Sequence, residues 1–351
     1  MTSDPKVARP SLAQVAALSG VSVKTASRAL GGEPRVAADT RSRVREAADQ
    51  LGYRLNGVAR ELRRGADTST LVGLLIGDLA NPFYSRLAGG LERGLRMRGL
   101  QLITASTDED PDWERRLADA LLERRVRGLV IASTAAEHAH FAAERRHGIP
   151  FVFVDRPPVD LAADTVLLDN HTGARRAGAH LTALGHRRIG VVGDFSRLST
   201  HRERLDGFAA AMDAAGVANW ADYLVENAHD VSAAEQAVRE LLTRRPAPTA
   251  LFTMNNLITL GALRALRGHR APPALIGFDD VDLGDVLGVS VVGHDPREMG
   301  RWAAQLLLDR IDGERGPARH VVIPTCLLAR GSGERPPAAP APATRAASRL
   351  E

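Results

Sequence analysis

Between Leu71 and Phe278 short apolar runs alternate with longer amphipathic stretches, and no other feature limits the fold of this chain as strongly. Leu71–Gly77, Gln101–Thr104, Gly128–Ile131 and Phe151–Val154 have the length and continuous hydrophobicity of strands buried on both faces. The stretches between them predict helices over about 84–98, 112–125 and 137–147. A second series follows at Ile189–Gly193, Ala250–Thr253 and Leu275–Phe278, again with helical stretches between. Repeated βα units place parallel strands under helices on both faces. So many strands predict two sheets, hence two lobes and a cleft. Ligands of such folds bind beyond the carboxyl ends of the strands.

The first 60 residues follow a different pattern. Ser11-Leu12-Ala13-Gln14 fits the capping box, in which serine and glutamine satisfy N–H groups that a helix start leaves unpaired. Ser19-Gly20-Val21 breaks that helix, and Ser22 is a natural cap for a second one reaching about Leu30. Two short helices around a glycine turn form a helix-turn-helix candidate. Val44, Ala47, Ala48 and Leu51 share a face of a third helix expected over 38–51, with Gly52 in the left-handed position after it. Charge separates this module from the rest. Residues 1–65 carry 12 Lys+Arg against 6 Asp+Glu, a net of +6, which leaves 34 and 36 of the chain's 46 and 42 for the remainder, a net of −2. A basic module on a near-neutral body is the electrostatic footprint of nucleic-acid binding. GC-rich coding would account for arginine over lysine but not for the excess at one end.

Lys24 and Arg28 stand four residues apart on the second helix and so share a face with Val23 and Ser27. Both residue types read guanine edges in the major groove, and the N-terminal half of a recognition helix is the part that reaches them. A merely solvated basic face is the alternative for an isolated helix, but here the helix sits in a helix-turn-helix within a basic module.

At these residues the chain resembles a known family. Ser11–Leu30, SLAQVAALSGVSVKTASRAL, is similar to the headpiece of the LacI/GalR family of bacterial repressors. The likeness continues in the family's order through Pro34-Arg35-Val36, Leu51-Gly52-Tyr53, Asn81-Pro82-Phe83-Tyr84, Leu184-Gly185-His186-Arg187, Arg204 with Gly207-Phe208, Gly277-Phe278-Asp279-Asp280 and Ala329-Arg330-Gly331-Ser332. The resemblance implies an all-α helix-turn-helix headpiece over 9–54, a hinge helix and linker over 55–68, and an α/β two-lobed periplasmic-binding-protein-like domain with parallel sheets over 69–333. The lobes are expected at 69–160 with 294–320 and at 161–293 with 321–333, and the Pro-rich 334–351 as a disordered tail.

In the headpiece the resemblance implies DNA contacts from Ser22, Val23, Lys24, Thr25, Ser27 and Arg28, with Val23, Lys24 and Arg28 reading bases. In the hinge it implies contacts from Asn56, Val58, Ala59 and Leu62. Leu62 would wedge into the minor groove at the operator centre, or Val58 and Leu62 would simply pack together. Gly57 costs the hinge helix about 1 kcal/mol relative to alanine.

In the body, Arg204 and Asp279 are a polar pair suited to a cleft: a carboxylate accepts from hydroxyls or base N–H groups while the guanidinium donates two aligned bonds. A salt bridge of purely structural role is the alternative for either alone. The resemblance adds Asp78, Asp155 and Asn255 as polar effector contacts, Phe83 and Tyr84 near the mouth, and Val231 where relatives carry an aromatic that stacks on the ligand. Asn256 stands where the family usually has aspartate.

Enzymatic readings lack a constellation. Gly331-Ser332-Gly333 ends the folded region instead of opening a helix, and neither a P-loop nor a nucleophile elbow is present. His138, His140 and His147 read as a solvated face of a polar helix before a metal site. Cys326, the single cysteine, lies in an apolar run and reads as buried filler. The sequence has no run long and apolar enough to span a membrane, and the stretch Met1–Pro10 lacks a secretory pattern, so a cytoplasmic protein without cofactor is expected. The expected partners are palindromic double-stranded operator DNA, a small-molecule effector, most simply a sugar or sugar derivative, and a second copy of the chain. A solute-binding protein of a transport system shares the two-lobed body and is the main alternative; the basic headpiece argues against it.

Overall fold

The structure, a computed structural model, describes residues 10–33, 35–54 and 69–337. The chain divides into two compact units between Ser69 and Thr70. The hinge positions Asn56, Val58, Ala59 and Leu62 lie outside the described residues.

The first unit holds α1 (Leu12–Ser19), α2 (Val23–Leu30) and α3 (Ala38–Gln50). Both halves of the capping box form: Ser11 Oγ accepts from Gln14 N–H and Gln14 Oε1 accepts from Ser11 N–H. Gly20 ends α1 at φ +68°, a left-handed conformation that costs glycine little, and Ser22 then caps α2 by accepting from Thr25 N–H at 3.1 Å. Val15, Ala16, Ala26, Ala29, Val44, Ala47 and Ala48 close a small core in which small side chains let the helices approach.

The second unit contains two six-stranded sheets. Across the first lie β11 (His320–Ile323), β5 (Asp164–Leu168), β4 (Phe151–Val154), β3 (Leu129–Ile131), β1 (Leu71–Ile76) and β2 (Gln101–Ser106), all parallel. The second runs β12 (Cys326–Leu328), β10 (Ser290–Gly293), β9 (Ala274–Phe278), β8 (Ala250–Thr253), β6 (Ile189–Val192) and β7 (Leu224–Val225), with β12 alone antiparallel. Helices α4 (Pro82–Arg96), α5 (Pro111–Glu123) and α6 (Ala142–Arg146) belong to the first lobe, and α8 (Ser199–Ala214), α9 (Val231–Thr243) and α10 (Asn256–Leu266) to the second. After β5 the chain crosses into α7 (Asn170–Ala183) of the second lobe, and after β10 it returns as α11 (Pro296–Ile311) of the first.

The lobes repeat one plan. In each, the helix after the first strand, β1 or β6, packs against the helix that follows a crossing, α4 on α11 and α8 on α7. The approach is so close that a Cβ on Gly90 would collide with the Arg297 carbonyl, and one on Gly207 with the His171 carbonyl. These glycines therefore fix helix spacing, not chain flexibility.

Three expectations are corrected. The boundary between lobes is not at 160: Asp164–Leu168 pairs with β4 and β11, so the first lobe runs to Leu168 and also takes His320–Ile323. Asp164 anchors this edge through Arg310, whose Nη2 and Nε donate to its two oxygens at 2.7 and 2.8 Å. Residues 334–337 are not tail: Glu334 Oε2 accepts from Ser290 Oγ at 2.7 Å, and the Arg335 carbonyl accepts from His186 Nε2 at 2.9 Å. Cys326 is exposed, because it lies on the outer strand β12.

Candidate functional site: headpiece face and interlobe cleft

On α2 the buried residues are Ala26 and Ala29, which turns Val23, Lys24 and Arg28 the other way. Val23 is 50% exposed although apolar, and Lys24 is exposed. Ser22 and Thr25 serve the cap, their hydroxyls 2.9 Å apart. Ser27 is half-buried beside them. Arg28 Nε donates to Glu33 Oε2 at 2.6 Å, so its guanidinium is pre-oriented by a local carboxylate at the surface. This face can insert a short basic and apolar edge into a major groove.

In the second unit the cleft opens where the carboxyl ends of both sheets meet. Two aspartates stand at equivalent places. Asp155 is the first residue after β4 and Asp279 the first after β9; their N–H groups donate to Val166 and Val292 on the neighbouring strands at 3.0 and 2.9 Å. Each has left-handed backbone, φ +67° and +63°, outside the range most residues adopt. Strain of this sort recurs at ligand sites because it aims a side chain out of a strand end.

Arg204 on α8 lies across the cleft floor of the second lobe. Its Nε donates to Asn170 Oδ1 at 2.8 Å, and Nη1 donates to the Met254 carbonyl at 2.5 Å and to Asp279 Oδ2 at 3.2 Å. Its guanidinium carbon stacks 3.8 Å from the centre of the Phe278 ring. The second carboxylate oxygen of Asp279 is buried and has no hydrogen-bond partner among the described residues; His294 Nδ1 lies 3.6 Å away. Burial lowers the His294 pKa, which keeps that ring neutral.

The first-lobe wall contains a cation that sequence reasoning missed. Arg156 is buried and donates Nη1 and Nη2 to the two oxygens of Glu109 at 2.7 and 2.8 Å, with further bonds to the Ser133 carbonyl and Tyr84 Oη. Burial would raise the Glu109 pKa, but Arg156 outweighs it and the pKa falls. Asp155 has only a 3.5 Å contact with Arg156 Nε, and burial pushes its carboxyl up to about 6. Below the wall, Glu114 accepts from Ser133 Oγ and Thr134 N–H. His138 is part of this network and not of a solvated face: buried, its Nε2 meets Ser133 Oγ at 2.7 Å and its Nδ1 accepts from Val159 N–H at 2.9 Å. Among the described residues no group of three or more His, Cys, Asp or Glu could hold a metal ion.

Of the eight expected effector contacts, Asp78, Phe83, Tyr84, Asp155, Arg204, Asn255 and Asp279 line the cleft. Val231 does not. It opens α9, where its carbonyl lies against Gly261 of α10, and the ring beside the cleft is His229, two residues earlier. His229 stacks on Phe195 at 4.4 Å and 17°, and its Nδ1 donates to Asp194 Oδ1 at 2.7 Å. Burial would lower the pKa of His229, but Asp194 outweighs it and raises it. Asp194 and His229 left no sequence signal because they come from separate loops that only the sheet brings together. Arg156 could have been suspected as a charge adjoining a fully apolar strand. The lobes also touch directly, with Asn256 Nδ2 donating to Asn81 Oδ1 at 2.8 Å and Arg197 Nη2 to the Glu109 carbonyl at 2.6 Å.

Comparison with known proteins identifies both units. Residues 11–56 match the family described as "Bacterial regulatory proteins, lacI family", and residues 69–330 match "Periplasmic binding proteins and sugar binding domain of LacI family". The chain belongs to the LacI family. It is 34% identical over 337 residues to the HTH-type transcriptional regulator PtxS of Pseudomonas aeruginosa, covering 93% of this chain and 97% of the relative. It is also 34% identical to the regulator CelR of Thermobifida fusca, covering 93% and 98%. Among solved structures, a CelR–cellobiose complex aligns at 31% identity and TM-score 0.68 over 93% of this chain and 100% of that one. The lac repressor dimer bound to operator, at 23% identity and TM-score 0.74 over 92% and 99%, shares the fold. This LacI-family chain is thus a DNA-binding transcriptional regulator. No helix among its described residues is long and apolar enough to cross a membrane.

Proposed function

We propose that this LacI-family regulator is a cytoplasmic homodimeric repressor, without enzymatic activity, whose two headpieces read a palindromic operator and whose interlobe cleft binds a sugar or sugar derivative. The observation that carries the reading is the opposition of Asp155 in one lobe to Arg204 and Asp279 in the other. A polyhydroxylated ligand that joins all three ties the lobes at one angle. It shifts the equilibrium between DNA-binding states only by its difference in affinity for them. The cellobiose bound by CelR supports a saccharide as the ligand class. Val23, Lys24 and Arg28 are assigned base contacts, Ser22, Thr25 and Ser27 positioning contacts, and the hinge residues Asn56, Val58, Ala59 and Leu62 minor-groove contacts.

Gel shifts with operator fragments across a salt series test this. Affinity should fall steeply as salt rises, and Arg28→Ala should cost about 1–3 kcal/mol and relax selectivity at one base pair of each half-site. Equal affinity for palindromic and random DNA would sink the proposal.

A further inference from the structure

Resting on the sugar-effector reading, we infer that the cleft selects an uncharged, hydroxyl-rich saccharide and discriminates against the carboxylated or phosphorylated form of the same sugar. The argument is a census of donors and acceptors. Five carboxylates line the cleft, Asp78, Glu109, Asp155, Asp194 and Asp279, against Arg156, Arg204 and His229. Each cation already serves a carboxylate: Arg156 holds Glu109 with both terminal nitrogens, Arg204 reaches Asp279, and His229 donates to Asp194. Even with His229 protonated the carboxylates are in excess, and Asp78 and Asp155 have no cation of their own.

Of the three amides lining the cleft two have engaged donors, Asn255 and Asn256, and the orientation of all three is fixed, with Asn81 Nδ2 left without a partner among the described residues. Asn255 Oδ1 accepts from Ile258 N–H at 2.8 Å, so its Nδ2 must be the atom that donates to Asp194 Oδ2 at 2.8 Å. Asn81 Oδ1 accepts from Phe83 N–H at 3.0 Å, so Asn256 must present its Nδ2 there, and its Oδ1 is left buried without a partner among the described residues. Asp279 Oδ1 is in the same condition.

Beside the unengaged donors Asn81 Nδ2 and Arg204 Nη2, what the cleft has to offer is therefore mostly acceptors, and most of these are carboxylates. A sugar hydroxyl can donate to them, whereas a phosphate or carboxylate can only accept and would bring like charge next to unneutralised carboxylates. Burial, which already pushes Asp155 up to about 6, makes a further anion less welcome. Arg156 and His229 could not turn to such an anion without abandoning a carboxylate, and Arg204 could offer only Nη2, since Nε and Nη1 are engaged and its charge is already shared with Asp279.

Calorimetry on the full chain at pH 7.5 with matched ligands tests the inference: ribose and ribose 5-phosphate, glucose with gluconate and glucose 6-phosphate, cellobiose and cellobionate. At least one neutral sugar should bind, and its charged partner at least about 30-fold more weakly, the effect expected of an uncompensated like charge at a desolvated site. Asp155→Asn, checked for folding by its melting curve, should narrow that gap at least fivefold. A charged form binding as tightly as its neutral parent, or a gap that Asp155→Asn leaves unchanged in a folded variant, overturns the inference while leaving a sugar effector in place. Failure of every saccharide, neutral and charged alike, would remove the sugar reading and this inference with it.

Discussion

Asp155 and Asp279 occupy the same place in two copies of one architectural plan, yet their surroundings differ. Both follow the fourth strand of their lobe, both have positive φ, and both donate a backbone N–H to the next strand. Asp279 has Arg204 at 3.2 Å, stacked on Phe278 and held by Asn170 and the Met254 carbonyl. The guanidinium next to Asp155 is turned instead to Glu109, which leaves Asp155 buried without a dedicated cation. The second lobe thus presents a prepaired charge couple and the first a lone acceptor. An equivalent backbone position does not guarantee an equivalent electrostatic role, because the nearest cation answers to whichever carboxylate fits its fork better.

The comparison can be broken most forcefully at the two arginines. Arg156→Met would leave Glu109 buried and uncompensated, and urea denaturation should show a loss of about 3–5 kcal/mol in stability. Arg204→Met should cost less stability, since it meets its carboxylate by a single 3.2 Å bond, and more effector affinity. If both variants lose stability equally, the distinction between a wall-building and a ligand-facing arginine is wrong.

A smaller effect should appear at the aspartates. Asp279→Ala strands Arg204 in the cleft and should weaken the best neutral ligand by at least about 2 kcal/mol in calorimetry. Asp155→Ala should cost less, because no cation is stranded. The reverse order would mean that the lone acceptor, not the couple, dominates the grip.

The smallest effect is on stability against pH. The folded-state pKa of Asp155, raised to about 6, exceeds the ordinary value of about 3.9, so the folded protein binds the extra proton between them. Its contribution to stability is therefore greatest below about pH 4 and is lost as pH rises through 6. Asp155→Asn should melt at a higher temperature than the parent at pH 7.5, by about 1–2 kcal/mol of stability, with the advantage shrinking by pH 4.5. Taking the difference between the two proteins at each pH cancels the opposite trends of Glu109 and Asp194, whose pKa values are lowered. An advantage that stays constant with pH would show that Asp155 is not held above its ordinary pKa.

The sequence by itself determined whatever depends on neighbours along the chain. Ser11 and Gln14 wrote the start of α1, Gly20 and Ser22 the turn, and continuous apolar runs the inner strands β1, β3, β4, β8 and β9. These signals are local: a cap reaches three residues, and a doubly buried strand has no polar face to disguise it. Strands β5, β7, β10, β11 and β12 were not legible in this way. Asp164–Leu168 opens on a charged residue that only Arg310 and Arg319, about 150 positions later, make tolerable inside a lobe, and β7 and β12 are too short to show a period. The cleft divides along the same line. Arg204 and Asp279 could be proposed from residue type and family likeness, but the commitment of Arg156 to Glu109, the exchange of Val231 for His229 and the imbalance of acceptors over donors were decided by tertiary structure. A guanidinium or a carboxylate has several possible partners in a sequence, and only packing in three dimensions fixes which one lies within hydrogen-bond reach.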